Sequence, residues 1–305
     1  MTTDHRENDK YLEDLRMDRI PQGMGIGVQL DVNLRFKAGT FNIILGHANV
    51  GKTYWILWYL LSHSHKNNLK HLIYSSENTV NGLKRNLIEL HAGRKVVGMD
   101  TEELKGHKDF IEAHFDFIDT SKRLFEIAEF MKMVQQMGSY DSLVIDPHNS
   151  FLTTRGVNSH TYDYEVASKL RLFAKTTRTT IYMCTHASTD ALRKVHRGKG
   201  KDDHEYEGMP IPPNMADAEG GGKWGNRADD FIVIHRYTQS ATDWMVTEVH
   251  IKKVKETETG GKPTFLSHPV KFNLFAGTQF LCGGVNALEV DNSKDFSNLV
   301  PNEEF

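Results

Sequence analysis

Eight consecutive residues, Gly46-His47-Ala48-Asn49-Val50-Gly51-Lys52-Thr53, match the phosphate-binding pattern G-x-x-x-x-G-K-[ST] at every specified position. The glycines let successive backbone N–H groups, from Gly46 through Ala48, Asn49, Val50 and Gly51, curl around phosphate oxygens. Lys52 supplies a cation for the β and γ oxygens, and the Thr53 hydroxyl offers a ligand to Mg²⁺. The flanks agree with this reading. The apolar run Phe41-Asn42-Ile43-Ile44-Leu45 reads as a buried strand. Tyr54 to Leu61 reads as a buried helix whose N-terminus adds its dipole to the anion site. Tyr54, which opens that helix, is counted with the loop among the nucleotide-binding residues. The chemistry implied is the binding of a nucleoside triphosphate with Mg²⁺; the plain alternative is a glycine-containing turn.

Three other positions could complete such a site. Leu143-Val144-Ile145-Asp146 ends an apolar strand on a carboxylate, where a metal or its water is the natural partner of a buried charge. Glu77 follows the run Leu72 to Ser76, at the strand edge where ligands bind in open α/β sheets. By position it reads equally as a general base for water or as a first-turn helix carboxylate favoured by the dipole. His186 follows the run Thr180 to Cys184 and could touch a γ-phosphate; a loop histidine satisfied by backbone or water is the more ordinary reading.

These residues need strand ends to hold them, and the chain supplies strands at intervals. Runs at 70–76, 115–119, 142–146, 180–184, 231–235 and 244–252 read as strands, with helices over 83–90, 124–137 and 164–178 between them. Apolar strands alternating with helices predict an α/β fold with a mostly parallel central sheet covered by helices on both faces. Residues 193–223 break the pattern with Arg193, Lys194, Arg197, Lys199, Lys201 and Lys223 among prolines and glycines. They read as a long loop without periodic structure. Residues 4–18 read as a charged helix with a stripe of Tyr11, Leu12, Leu15 and Met17. The division expected is an arm over 1–22, a nucleotide-binding α/β domain over 23–285 and an acidic, disordered tail over 286–305.

The 305 residues are 39% hydrophobic and carry a net charge of −3, which excludes a globally basic nucleic-acid coat but not a local basic loop. Cys184 and Cys282 stand far apart, so neither a disulfide framework nor a cysteine-based zinc site is expected. No signal peptide or membrane span is evident, and a cytoplasmic location is expected.

Taken together, these blocks resemble the RecA-like, P-loop NTPase domain of the DnaB/Twinkle family of ring helicases, phage helicases included, from about Arg19 to Leu274. Gly46 to Thr53 matches its Walker A. Tyr74-Ser75-Ser76-Glu77-Asn78 is similar to the motif whose Glu is the catalytic base. Asp146-Pro147-His148-Asn149 resembles a Twinkle-like Walker B, and Cys184-Thr185-His186 the motif that senses the γ-phosphate. Glu219 to Asp230 resembles the family's Gly-rich, aromatic, Ala-Asp block, which His235-Arg236 closes.

The resemblance implies an ATP-dependent DNA helicase, a homo-hexamer acting in replication on single-stranded DNA, with ATP and Mg²⁺ at protomer interfaces. Lys253 and Lys255 occupy the places of a Lys-x-Arg pair that acts on the neighbouring subunit's nucleotide. Lys255 thus stands where the family has an arginine, and Arg236 is a further candidate cation. The resemblance also implies DNA contacts at 151–160 and from Lys194, Arg197, Lys199, Lys201, Gly221 and Lys223. It makes the N-terminal stripe a protomer-packing helix and links the tail to a DNA polymerase or other replisome proteins, with primase a further partner. A minimal motor is expected, with neither a fused primase nor an N-terminal collar. The rival readings are a RecA-like recombinase or mediator and a non-translocating, ATP-gated regulator.

Overall fold

The computed structural model describes residues 5–17, 19–20, 22–121, 123–152, 159–198 and 205–290. Ten strands form one sheet in the order β10-β9-β8-β7-β6-β1-β5-β4-β2-β3. Chain order begins with α1 (His5–Arg16), β1 (Phe41–Gly46), α2 (Lys52–Asn67), β2 (His71–Ser75), α3 (Val80–Ala92), α4 (Thr101–His114) and β3 (Phe115–Ile118). It continues through α5 (Ile127–Met137), β4 (Ser142–Asp146), α6 (Ser159–Thr177), β5 (Thr180–His186) and the short α7 (Thr189–Leu192) and α8 (Lys223–Arg227). The last elements are β6 (Asp230–His235), β7 (Val246–Lys253), α9 (Thr257–Gly260), β8 (Val270–Phe275), β9 (Gln279–Cys282) and β10 (Val285–Asn286).

The strands β6, β1, β5, β4, β2 and β3 are mutually parallel, and β7 to β10 extend the sheet antiparallel beyond β6. Parallel strands must be buried on both faces, and alternation along β1 supplies both. Ile44 enters a core with residues of α2, α3 and α4, while Phe41, Ile43 and Leu45 enter a second core with residues of α5, α6 and α8. The expected two-sided α/β architecture is therefore present.

Helix α2 is the central rod. Its residues from Trp55 to Ser64 are all buried, so it is apolar around most of its circumference. Trp58 packs on Phe272 of β8 and Phe280 of β9, at ring separations of 5.0 and 5.4 Å. Tyr54 donates its hydroxyl to Gly277 O in the β8–β9 turn, at 2.9 Å, and at the far end Asn67 donates to Gly25 O at 3.1 Å.

Some expectations need correction. Helix α4 has no counterpart among the expected elements, although Asp100 caps it by accepting from Glu103 N at 2.8 Å. Strands β8 to β10 are likewise additional; they form an antiparallel meander with a Gly283-Gly284 turn at φ 58° and 81°. Helix α5 starts three residues later than expected and α6 five residues earlier, while β5 runs on to His186.

The segment after Arg193 is not structureless where it is described. Val195 bridges Pro210, His196 bridges Glu207, and Asn214 and Asp217 form a reciprocal capping box around a 3₁₀ turn. Lys199 and Lys201 lie outside the described residues, as does most of the 151–160 loop. The fold also runs past residue 285, because Asn286 belongs to β10 and Ala287 is buried. The remainder of the acidic tail, from 291, lies outside the described residues. Tyr11, Leu12 and Leu15 on α1 are exposed. Among the described residues no helix is long and apolar enough to cross a membrane.

Trp58 is fully buried between α2 and the antiparallel extension. Trp58→Ala should therefore cost about 3–5 kcal/mol in equilibrium denaturation. A loss below about 1 kcal/mol would show that β8 and β9 are not part of the cooperative core.

Candidate nucleotide site

Because β1, β2, β4 and β5 run parallel, their carboxyl ends meet at one edge. Register pairs Gly46 with His186 and Ser75 with Asp146, so residues separated by up to 140 positions in sequence become neighbours. Four of the sequence candidates (the phosphate loop, Glu77, Asp146 and His186) are thereby brought together.

The loop is held open by its backbone. Asn49 and Gly51 adopt positive φ of 60° and 90°, and Gly51 caps α2 without a side-chain acceptor. The first N–H groups of α2 are left pointing outward, as anion binding requires. Gly46 admits no side chain, since a Cβ there would stand 2.5 Å from Ile234 O. Lys52 is buried and donates to Gly46 O at 3.1 Å and His47 O at 2.9 Å, with His186 Nδ1 at 3.3 Å. Burial lowers its pKa. Moving this ammonium from loop carbonyls to phosphate oxygens would replace neutral acceptors by charged ones.

Beside the loop, Thr53 donates its hydroxyl to Asp146 Oδ2 at 2.7 Å. Asp146 is 2% exposed and forms no ion pair among the described residues. Burial raises its pKa, opposed by the Thr53 hydrogen bond. A hydroxyl and a buried carboxylate without a cation suit a hard, oxygen-seeking divalent ion, so these residues fit Mg²⁺. Asn78, which the sequence presents only as part of a motif, approaches the same carboxylate oxygen at 3.5 Å and Ser75 Oγ at 3.3 Å.

Glu77 and His186, read separately in the sequence, touch: Nε2 of His186 lies 3.1 Å from Glu77 Oε1. Glu77, His186 and Lys52 therefore form one chain of contacts across the mouth of the site. His186 also begins a second connection. Its carbonyl accepts from Glu219 N at 2.8 Å, Ser188 N donates to Asp217 O at 2.7 Å, and Ala187 bridges Ala218. The buried His47, which sequence reasoning passes over, reaches Ile211 O at 3.4 Å. Both link the nucleotide edge to the ordered basic excursion.

The remaining candidates are spread more widely. Arg236 lies over the loop, its Nη1 3.6 Å from where a Gly51 Cβ would stand, while donating to Trp244 O. Tyr54 turns its side chain to Gly277 and away from the loop. Lys253 binds the carbonyls of Gly225 and Ala228 at 2.9 and 2.7 Å, and Lys255 pairs with Asp229 at 3.3 Å. Both lie toward the opposite edge, because β7 is antiparallel and Lys253 pairs with Phe231 near the start of β6. Lys255 is level with the start of β1, roughly 17 Å of strand from Gly46, beyond the reach of its own loop's nucleotide. Lys194 pairs with Asp217, Lys223 is buried against Asp163 at 2.7 Å, and Arg197 is exposed. Gly221 adopts φ 86° and donates its N–H to Ala218 O. Lys223 thus holds α8 to α6 and does not point to solvent.

No family model matches the chain. It is 24% identical over 238 residues to the chloroplastic/mitochondrial Twinkle homolog protein of Arabidopsis thaliana, covering 73% of this chain. The chain spans 32%, about a third, of that relative's length. Among solved structures, an isolated ATPase domain superposes with a TM-score of 0.71 at 14% identity, covering 92% of this chain and 99% of that one. A DnaB-like replicative helicase, studied with its primase interactions, gives 0.67 at 14% identity, covering 90% and 65%. The fold is thus that of the RecA-like ATPase domains in these two solved structures.

The buried Asp146 charge burdens the ligand-free fold. Its raised folded pKa means the penalty is absent below the unfolded value near 4, grows between that value and the folded one, and is fully present above the folded one. Asp146→Asn should therefore raise Tm at pH 7, with the gain vanishing near pH 4. The same variant should lose Mg²⁺-dependent nucleotide turnover. A lower Tm at pH 7 would contradict this account of the carboxylate.

Proposed function

We propose that this chain is the ATPase motor of a DnaB/Twinkle-type replicative DNA helicase, using ATP and Mg²⁺ to move along single-stranded DNA. The convergence of Lys52, Thr53, Glu77, Asp146 and His186 at one sheet edge carries this reading. Mg²⁺, held by Thr53 and by Asp146 directly or through water, would screen the β and γ oxygens. The loop N–H groups and Lys52 would bind the phosphates, leaving loop carbonyls free.

Glu77 then takes the proton of a water in line with the γ-phosphorus, a role worth ~10²–10⁴-fold in rate. His186, in contact with both Glu77 and Lys52, exchanges partners as the γ-phosphate departs. Its backbone link to residues 217–219 conveys the change to the basic excursion. Arg197 there, with Lys194, Lys199 and Lys201, would contact DNA phosphates with salt-dependent, sequence-independent affinity. Lys253 and Lys255 act on the nucleotide of a neighbouring copy in a homo-hexameric ring. A cytoplasmic location, contacts with primase and docking of the acidic tail on a polymerase belong to the same reading. The lysine at the finger position and its pairing with Asp229 favour one alternative, an ATP-gated regulator with weak coupling between copies.

Glu77→Gln should bind ATP within about twofold of the parent but hydrolyse it at least ~10²-fold more slowly, with strand displacement from a forked duplex abolished. Equal turnover in Glu77→Gln would remove Glu77 as the base. ATPase activity indifferent to single-stranded DNA, with no strand displacement by the parent, would favour the regulator.

A further inference from the structure

Helices α3 and α4 lie antiparallel, and three pairs of side chains cross between them. Lys84 pairs with Glu112 at 3.4 Å, Arg94 with Glu103 through two hydrogen bonds, and between these His91 meets His107. Beneath them Leu83, Leu87 and Leu90 of α3 share one core with Ile111 of α4. The histidines therefore stand on packed elements whose register is fixed on both sides of the pair.

Nδ1 of His91 lies 3.0 Å from Nδ1 of His107, with ring centres 4.9 Å apart and planes at 89°. Two such nitrogens form a hydrogen bond only while one of them carries the proton. With both lone pairs free, the same separation is the bite of a metal ion. Two bonds of about 2.1 Å to imidazole nitrogen span 3.0 Å at roughly 90° and about 3.3 Å at the tetrahedral angle. Phe110 fixes the His91 ring by stacking on it at 4.2 Å and 16°. Both histidines are half-buried, so an ion and its waters can reach them from solvent. Among the described residues no third metal-ligating side chain joins the pair, which leaves the other coordination positions to water.

We propose that His91 and His107 chelate a divalent transition-metal ion of the Zn²⁺ class through their Nδ1 atoms, clipping α3 to α4. Imidazole nitrogen suits Zn²⁺ and its late first-row neighbours, whereas Mg²⁺ and Ca²⁺ take oxygen ligands. Binding requires the proton between the rings to move to Nε2 of its own ring, with no net loss. Neither Nε2 is hydrogen-bonded among the described residues, so nothing pins the other tautomer. His114, which stacks on Phe110 beside the pair, is not a ligand. Its Nδ1 faces Phe110 O at 2.9 Å and its Nε2 faces Asn68 Oδ1 at 3.0 Å. The pair shares no residue with the Thr53–Asp146 position, and its ion would bind whether or not the chain is a helicase.

The test is calorimetric titration of the untagged, chelator-stripped full chain with ZnCl₂, in excess Mg²⁺ so that oxygen sites are already filled. We expect one Zn²⁺ per chain at this site and a Tm that rises with Zn²⁺. His91→Gln and His107→Gln keep a side chain able to hydrogen-bond across the pair. Each should weaken Zn²⁺ binding at least ~10-fold, the least that even an outer-shell loss costs. His114→Gln should bind Zn²⁺ as the parent does, because its nitrogens are engaged elsewhere. The parental chain needs no substitution for a second readout: bound Co²⁺ should show the visible absorption of nitrogen ligation. A parent that takes up no Zn²⁺, or a Co²⁺ spectrum that stays that of the free aqua ion, would overturn the site. So would parental affinity in His91→Gln and His107→Gln, or an equal loss in His114→Gln.

Discussion

Because β1 is hydrogen-bonded to parallel neighbours on both sides, its carboxyl end cannot stand alone. The direction that brings Gly46 to the edge also brings His186 there, and the next strands add Asp146 and Ser75. A parallel sheet in this way turns strand direction into chemical proximity, and four segments far apart in sequence contribute to one mouth. The antiparallel turn into β7 reverses the logic. It sends Lys253 and Lys255 to the other edge, where carbonyls of Gly225 and Ala228 hold the first and Asp229 pairs with the second.

The site is assembled at some cost to the fold. Lys52 and Asp146 are both buried charges, each held by neutral groups: loop carbonyls for the ammonium, a hydroxyl and an amide for the carboxylate. Burial shifts both groups toward their neutral forms, which is the electrostatic mark of charges awaiting a partner. Structural ion pairs elsewhere differ in kind. Lys223 with Asp163, and Lys37 with Asp230, are already matched and tie elements together.

Much of this is legible in the sequence, and the reasons for the gaps are specific. The phosphate loop and the strands before Glu77 and Asp146 are short apolar runs with turn residues at their ends, and such runs declare themselves. Helix α4 is mostly exposed, with Ile111 its buried residue, so it has almost no apolar period to read; its signal is the Asp100–Glu103 cap. Strands β8 and β9 alternate faces over only a few residues, and their stability comes from Trp58 and Tyr54 on a distant helix. Contact between Glu77 and His186 depends on two side chains meeting across the sheet edge, which no local pattern encodes. Lys223 looks like a surface cation among glycines, and only its burial against Asp163 distinguishes it from one.

Helix α2 joins these themes in a mechanical sense. It starts in the phosphate loop, and its sixteen residues span about 24 Å before Asn67 fastens it to Gly25. Rings of Phe36, Tyr182, Phe272 and Phe280 pack against the rod, and its residues from Trp55 to Ser64 are all buried. The phosphate loop is thus seated on the helix that the core grips along ten consecutive residues, as a hub is seated on its axle.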